Sequence, residues 1–294
     1  MYTIARTATH AQSTDMHLAP HALEYFQRFA DSRASWRSRN SFYHADVEEY
    51  LAFLVPKGVS VLQVGADSRT LLARLKPSRA LGIHGSERMV NALRKDSSVK
   101  DVSYEHRQLS DVRETYDYVV FSDVLGYVED IEVVLREAAE RMPWNGRIVI
   151  TQYSSLWEPL LRLASFLHLR MPSCEQSWIS RGDIDNFARL SGLETVRCGT
   201  RMLMPIYIPL VSALFNKYLA HIFPFTRLGI YHYTVLRKRD ARPSNASPSI
   251  SIVVPARNEK GMIERIAREL SALSCKPELI FIEGHSKDDT WAEI

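Results

Sequence analysis

Short runs rich in β-branched residues alternate with helical stretches from Val59 onward. The run VSVLQVG precedes the helical TLLARLK, and ALGIHG precedes a helical stretch over 86–94. YDYVVFSD, a helical stretch over 130–141 and GRIVITQ continue this order, and the spacing of apolar residues predicts earlier helices over 21–37 and 46–54. Strand–helix–strand order builds a parallel sheet with helices on its faces. The alternation therefore predicts an α/β fold with a doubly wound sheet.

Composition divides the chain into four segments. Residues 1–20 are polar and aperiodic, which predicts a mobile tail. The α/β pattern occupies 21–238, and RDARPSNASPS at 239–249 has the Pro, Ser and Asn content of a linker. A second strand–helix–strand pattern occupies 250–294. We therefore expect two domains joined by a polar linker.

The overall composition excludes several classes of protein. Hydrophobic residues at 46% and charged residues at 24% are typical of a folded globular chain. A net charge of +3 without a concentrated basic patch predicts no nucleic-acid partner. The cysteines Cys174, Cys198 and Cys275 are too widely spaced for a disulfide framework or a CxxC site, and the histidines have no metal-ligand spacing. This spacing predicts no metal site. The first fifteen residues also lack the apolar core of a signal peptide, so we predict a cytoplasmic protein.

One apolar segment, 202–225, interrupts the later part of the pattern. Pro205 and Pro209 break it and Lys217 adds a charge, so we do not expect it to cross a membrane. Three interpretations stay open for this segment. It holds an apolar acceptor, it rests on a membrane surface, or it packs as a helix against its own sheet.

The turn after VSVLQVG is the first candidate site, because ligands of doubly wound sheets lie at the carboxyl ends of the strands. With the later blocks GIHGSERMV, YDYVVFSDVLGYVED and PWNGRIVIT, this turn resembles the class I S-adenosylmethionine-dependent methyltransferases over about 42–239. The resemblance implies a Rossmann-like fold and S-adenosylmethionine as cofactor. Of the family's glycine triplet, Gly65 is present, whereas Asp67 and Arg69 occupy the other two positions and Gln63 replaces the usual acidic residue.

The same resemblance implies further cofactor contacts. His84 stands where the family has a carboxylate for the ribose hydroxyls, and it offers one acceptor nitrogen in place of two oxygens; the alternative is that His84 is a surface residue. Asp111 is a weakly aligned candidate for the adenine, and Ser122 follows the fourth strand. Asp123 beside it is the candidate catalytic base for a hydroxyl acceptor, with helix N-capping as the alternative.

Charge at the first turn favours one type of ligand. The Asp67 carboxylate would repel the pyrophosphate of a dinucleotide, whereas S-adenosylmethionine carries a sulfonium cation and no phosphate. We therefore expect S-adenosylmethionine and not NAD. Arg69 either pairs with the methionine carboxylate or is an exposed arginine of the first helical turn.

The second candidate site follows the linker. SISIVVPARNE and ELIFIEGHSKDDTW resemble the start of a family 2 glycosyltransferase of the GT-A fold, close to the polyprenyl-phosphate sugar transferases. The resemblance implies a nucleotide-sugar site, and the alternative is a generic βαβ unit with capping residues. Pro255, Asn258 and Glu259 match the first block, Ser286 and Asp288 match the second, and Glu283 replaces the first acidic residue of the second block.

The two resemblances together imply a methyltransferase fused to a glycosyltransferase that acts on a small-molecule or lipid-linked glycan acceptor. The metal-binding DxD motif and the base of the second domain would lie beyond Ile294, so a divalent metal is expected only in a complete glycosyltransferase domain. We therefore expect this sequence to be an N-terminal fragment. The alternative function is a non-catalytic methyltransferase-like module that positions the glycosyltransferase or docks partners.

Overall fold

The computed structural model describes residues 18–95, 102–172, 174–239, 249–273 and 276–294. The chain forms two compact units, Met1–Ala241 and Arg242–Ile294. The predicted tail lies outside the described residues except for 18–20, and the predicted linker does so except for its two terminal residues.

A seven-stranded sheet forms the centre of the first unit, with the strand order β3-β2-β1-β4-β5-β7-β6. Strands β1 to β5 pair in parallel, and β7 lies antiparallel to both β5 and β6. The predicted α/β, Rossmann-like fold is confirmed, although the sheet is mixed because β7 runs antiparallel to its two neighbours. The strands are β1 Ser60–Val64, β2 Arg79–His84, β3 Val102–His106, β4 Tyr118–Ser122, β5 Arg147–Tyr153, β6 Leu193–Arg201 and β7 Tyr231–Lys238.

Eight helices of six or more residues accompany this sheet in the described part of the first unit. The predicted helix over 21–37 is divided, because Ala30–Ser32 separate α1 from α2, and the predicted helix over 46–54 begins earlier, at Ser41. The helix α7 was not predicted; it begins with Pro159 in its first turn, a favourable position for proline. The helices are α1 Pro20–Phe29, α2 Arg33–Arg39, α3 Ser41–Leu54, α4 Thr70–Leu75, α5 Glu87–Arg94, α6 Ile131–Glu140, α7 Glu158–Phe166 and α8 Arg181–Leu190.

The core occupies both faces of the sheet. Successive strand residues point to opposite faces, so Val61 and Leu62 belong to different hydrophobic clusters. One cluster joins the sheet to α1, α6 and α8, and the other joins it to α3 and α4. Burial on both faces explains why the strands are almost entirely apolar in sequence.

The segment between β6 and β7 folds into short irregular helical turns, including α9 at Val211–Ala213. Met202 is buried in the core, but most of the large apolar side chains that follow it are exposed. The interpretation as a helix packed against its own sheet is therefore wrong for most of this segment. No helix in the described residues has the length and apolarity needed to cross a membrane.

The second unit contains the parallel strands β8 Ser251–Ala256 and β9 Glu278–Glu283, with α10 Ile263–Ser271 between them and α11 Thr290–Glu293 at the end. Exposure alternates along both strands, so one sheet face carries the less exposed side chains, such as Val254 and Phe281. In its described part, the fully buried residues are Ala256, Ile263 and Thr290.

Candidate functional site

The turn between β1 and α4 depends on Gly65. Its φ of +73° lies in the left-handed region, and a Cβ built on it would lie 2.4 Å from Cγ2 of Val124. The backbone N–H groups of Gly65 and Ala66 both donate to the carbonyl of Ile83. The missing side chain therefore lets the turn pack directly on the segment that follows β4.

Asp67 in this turn is paired with two arginines of α2. Its Oδ2 lies 2.7 Å from Nη2 of Arg33 and 3.1 Å from Nη1 of Arg37. Burial alone would raise the pKa of Asp67, but Arg37 and Arg33 outweigh it and hold that pKa well below the ordinary value. The assumption that Asp67 presents a free negative charge to ligands is wrong, because two guanidinium groups neutralise it.

A second buried carboxylate extends this cluster. Glu48 of α3 accepts a 2.8 Å hydrogen bond from Arg37 and a 3.3 Å bond from the hydroxyl of Ser68, and it also accepts from the hydroxyl of Thr70. Arg37 thus joins the first turn to α3. Sequence reasoning missed Arg33 and Arg37, although their i, i+4 spacing on one helix face was a usable signal.

Asp123 lies directly after β4 at the carboxyl edge of the sheet. Its φ of +54° is unusual for a residue with a side chain, and such strain is concentrated at functional sites. Oδ2 accepts a 3.2 Å hydrogen bond from the hydroxyl of Tyr43, whereas Oδ1 is buried and has no partner. Burial, and secondarily the charge of Asp67, raises the pKa of Asp123 to about 7. The N-cap alternative is wrong. The N-cap position of the following helical turn is Val124, and no side chain forms a capping hydrogen bond there.

Aromatic rings and an arginine lie beside this carboxylate. The rings of Tyr43 and Tyr153 stack with centroids 5.1 Å apart, and the guanidinium carbon of Arg170 lies 4.4 Å from the Tyr153 centroid. Arg170 has no carboxylate partner within ion-pair distance among the residues that the structure describes. Tyr43 and Arg170 lie far from the sheet edge in sequence, and no motif identified them.

These groups surround a cavity of ≈350 Å³, within the range of small-molecule sites. Its wall contains both carboxylates, Asp67 and Asp123, together with Arg170, and its apolar part comes from α7 and from the segment after β6. A second cavity of ≈370 Å³ lies beside the first turn of α4 and includes Arg69. Arg33, Arg37, His44 and Asp67 line both cavities.

His84 lies at the carboxyl end of β2, as the resemblance placed it, but it is 0% exposed. Its Nδ1 accepts a 2.8 Å hydrogen bond from the backbone N–H of Ser86, and Nε2 has no partner. The ring of Phe26 packs edge-on against the imidazole at 4.8 Å. Burial, and secondarily Arg33, lowers the pKa of His84 to about 3, so the imidazole is neutral. The alternative that His84 is a surface residue is wrong.

The remaining predicted cofactor residues lie at different distances from the cavities. Ser122 ends β4 and its hydroxyl is 3.5 Å from that of Thr151. Asp111 is an exposed turn residue whose carbonyl accepts from Arg107, and it lines neither cavity. Among the described residues, no group of three or more metal-ligating side chains occurs.

The comparison with protein families decides between the classes of α/β protein. A family model for a methyltransferase domain matches residues 35–197, more than half of the chain. The chain belongs to this methyltransferase family. It is a transferase, and S-adenosylmethionine is its cofactor. The matched region contains β1 to β5 and the cavity residues Asp67, Asp123 and Arg170.

Solved structures share the fold of this methyltransferase. A methyltransferase in complex with the Trm112 activator of Haloferax volcanii is 18% identical, with 73% of this chain and 97% of that chain covered at a TM-score of 0.55. An S-adenosylmethionine-dependent methyltransferase of Thermotoga maritima is 15% identical, with 74% and 99% covered at a TM-score of 0.55. The magnesium protoporphyrin IX methyltransferase of Synechocystis with bound S-adenosylhomocysteine is 15% identical, with 74% and 97% covered at 0.53. Comparison with curated proteins gives no match.

The cavity of the methyltransferase suits the reactive end of its cofactor. Asp123 has a buried oxygen without a partner, in a cavity that Tyr43 and Tyr153 also line. A carboxylate attracts a sulfonium cation in a site of low dielectric. The residues present therefore fit S-adenosylmethionine at its sulfonium group.

The residues of the second resemblance meet at the carboxyl ends of β8 and β9. Ser286 Oγ accepts a 2.9 Å hydrogen bond from the N–H of Asn258, and Asn258 Oδ1 accepts one of 2.9 Å from the N–H of Lys287. Asp288 accepts a 3.2 Å hydrogen bond from the N–H of Lys260. Glu283 accepts hydrogen bonds from the backbone N–H groups of His285 and Ser286. These polar groups hold the two loops together. Pro255 lies in β8, and the N–H of Glu259 donates to the hydroxyl of Thr290.

Proposed function

We propose that this methyltransferase methylates a hydroxyl group of an anionic acceptor, with Asp123 as the general base. The observation that carries the proposal is the buried Asp123 oxygen without a partner, in a cavity at the carboxyl edge of the sheet. A proton acceptor needs a pKa near the working pH, and burial raises the pKa of Asp123 to about 7. Tyr43 orients the other oxygen through its 3.2 Å hydrogen bond.

The division of roles follows from the positions of the groups. When bound, S-adenosylmethionine supplies an electrophilic methyl group on sulfur. Asp123 would accept the proton of the acceptor hydroxyl as the new O–C bond forms and the S–C bond to the methyl group breaks, with S-adenosylhomocysteine as the leaving group. Arg170 lies in the same cavity without a carboxylate partner among the described residues, so it is the group that would hold a phosphate or carboxylate of the acceptor.

The cofactor contacts in this proposal keep the residues predicted from sequence. Gly65 shapes the first turn, Asp67 and Arg69 lie beside the cavities, and Ser122 ends β4. His84 and Asp111 keep their proposed roles at the ribose and the adenine. For His84 this role requires α1 to shift, because Phe26 covers the imidazole.

A titration of the full chain tests cofactor binding independently of catalysis. We expect S-adenosylmethionine and S-adenosylhomocysteine to bind in calorimetry, each more tightly than NAD, because the chain belongs to a methyltransferase family. NAD binding tighter than S-adenosylmethionine would contradict the ligand assignment. Absence of binding by all three compounds would favour the non-catalytic module.

The pH dependence of single-turnover methyl transfer tests the base. Asp123 accepts a proton only when ionised, so the rate should rise with pH and level off above about pH 7. Asp123→Asn should lower the rate by roughly 10²–10⁴-fold and remove this rise. The matched control is Asp130→Asn, the N-cap of α6, where asparagine caps equally well. An unchanged pH profile in Asp123→Asn would exclude Asp123 as the base.

The finer proposal for the whole chain is a methyltransferase fused to a family 2 glycosyltransferase, acting in the biosynthesis of a glycan or a lipid-linked sugar. It is supported by Asn258, Glu283, Ser286 and Asp288, which lie together at the carboxyl ends of two parallel strands. Titration with UDP and GDP tests this proposal. Binding lost in Asp288→Ala would support it, and no binding of either nucleotide by the chain would contradict it.

A further inference from the structure

Two segments beside the cavity expose large apolar side chains to solvent. The exposed apolar side chains of 156–169 and 206–223 are here named the apolar collar. Phe166 is 78% exposed, Leu210 87% and Phe223 71%. Exposed apolar residues scattered singly are ordinary, but a contiguous set marks an interaction surface.

The two segments of the apolar collar belong to one region of the first unit. The indole N–H of Trp157 donates a 2.7 Å hydrogen bond to the carbonyl of Leu228, which ties the start of α7 to the chain that follows the second segment. Leu161 and Leu169 from the first segment and Ile206 from the second line the same cavity. Both segments therefore contribute to the wall of the cavity.

The charges next to the apolar collar are mainly positive. The stretch 202–230 contains no aspartate or glutamate, and its charged residues are Lys217 and Arg227. Neither forms an ion pair among the described residues, and each cation lies near a ring of the apolar collar, Arg227 at 5.5 Å from Phe223. In the other segment Glu158 is already paired with Arg162 at 2.5 Å.

We propose that the apolar collar docks on the surface of an anionic phospholipid bilayer. Its leucine and phenylalanine side chains would enter the boundary between head groups and acyl chains, with Lys217 and Arg227 next to the lipid phosphates. The cavity then opens toward the membrane. A second copy of the chain is a poorer occupant, because a two-fold interface at this surface brings like charges together.

Vesicle sedimentation of the full chain tests this docking and requires no catalysis. We expect binding to vesicles of phosphatidylcholine with phosphatidylglycerol and much weaker binding to phosphatidylcholine alone. Lys217→Gln with Arg227→Gln should lower the affinity by about 25-fold, because each basic residue near such a surface contributes about fivefold.

A matched pair of triple variants separates the apolar collar from general surface apolarity. Phe166→Ser, Leu210→Ser and Phe223→Ser together should lower binding to anionic vesicles by at least tenfold, roughly the effect of losing a few buried CH₂ groups. The control changes Phe53, Leu190 and Trp144 to serine, which are 68%, 64% and 59% exposed and lie outside the apolar collar. The control should bind as the unmodified chain does.

Several results would overturn the proposal. These are no binding to either vesicle, equal loss in both triple variants, or equal binding to neutral and anionic vesicles. If sedimentation velocity shows a dimer of the unmodified chain and a monomer of the collar variant, a second copy of the chain is the occupant. Hydrogen exchange gives a separate check, because 158–169 and 206–223 should gain protection when anionic vesicles are added. Strong protection of both segments without vesicles would show that protein already covers them.

Discussion

At the scale of single residues, one carboxylate fixes two arginines against the first turn of the sheet. Asp67 accepts from Arg33 and Arg37, and all three side chains are largely buried. Removing one member of a buried charge cluster leaves the others unpaired, which typically costs 3–5 kcal/mol. We therefore expect Asp67→Asn to lower the free energy of unfolding by about 3 kcal/mol in urea denaturation.

An exposed ion pair provides the control for Asp67→Asn. Asp31 pairs with Arg88 at 2.5 Å, but both side chains are more than half exposed. Solvent screens such a pair, so Asp31→Asn should cost less than about 1 kcal/mol. Equal losses in the two variants would show that the Asp67 cluster is not a buried network.

The pH dependence of stability adds a second measurement on Asp67. Its pKa in the folded chain lies below the unfolded value of about 3.9. The stability that Asp67 contributes is therefore present above that unfolded value and is lost as the pH falls toward the folded one. Between about pH 4 and pH 2 the unmodified chain should lose more stability than Asp67→Asn does. Parallel curves for the two proteins would contradict the depressed pKa.

Sequence reasoning reached these residues unequally. Asp67 and Asp123 follow strands of the predicted sheet, and the ends of parallel strands are where ligand sites form. The partners of these carboxylates, Arg33 and Tyr43, lie in helices that precede the sheet. Their pairing depends on how α2 and α3 cross the sheet edge, which apolar periodicity does not specify. The charge argument from Asp67 was wrong for the same reason.

At the scale of elements, the turn between β1 and α4 combines backbone conformation with close packing. Gly65 has a φ of +73°, and Val124 would overlap a Cβ at 2.4 Å. Positive φ costs an alanine on the order of 1–2 kcal/mol, and overpacking typically adds about 1–3 kcal/mol. We expect Gly65→Ala to lower the free energy of unfolding by the sum of both costs, about 2–5 kcal/mol.

Three further variants separate the two costs at Gly65. Gly58 has a similar φ of +77° with nothing within 4 Å of a built Cβ, so Gly58→Ala should show the conformational cost alone. In a Val124→Ala background the overlap is removed, and the extra cost of Gly65→Ala should shrink toward that of Gly58→Ala. Urea denaturation of the unmodified chain, the three single variants and the double variant measures this, and equal costs at the two glycines would exclude the overlap.

The elements with strong sequence signals were predicted well, and those with weak signals were not. β1, β4 and β5 are β-branched runs bounded by turn residues, and the structure has strands there. The stretch over 21–37 has continuous helical spacing, yet Ala30–Ser32 divide it so that α2 can bring its arginines to Asp67. The segment after β6 is apolar without a regular period, so its sequence left three interpretations open.

At the scale of the whole molecule, topology turns separate motifs into one site. In the order β3-β2-β1-β4-β5-β7-β6, β1 and β4 are neighbours, although a long stretch of sequence separates the start of β1 at Ser60 from the start of β4 at Tyr118. This adjacency places the turn containing Asp67 beside Asp123, and the charge of one raises the pKa of the other. Strand order was predictable only through the resemblance, because periodicity identifies strands without their neighbours.

The division into two units predicts that the chain does not unfold in one step. The first unit has hydrophobic clusters on both sheet faces, whereas the described part of the second has three fully buried residues. A unit of this size buries too little apolar surface to match the stability of a large domain. When unfolding in urea is followed by hydrogen exchange and mass spectrometry, β8, α10 and β9 should lose protection before β1, β4 and β5 do.

One buried residue in each unit tests this order of unfolding. Ile263 is 2% exposed in the second unit and Leu62 is 0% exposed in the first. Each truncation to alanine should cost about 2–5 kcal/mol, Ile263→Ala in the earlier transition only and Leu62→Ala in the later one only. A single transition that both variants shift equally would show that the two units unfold cooperatively.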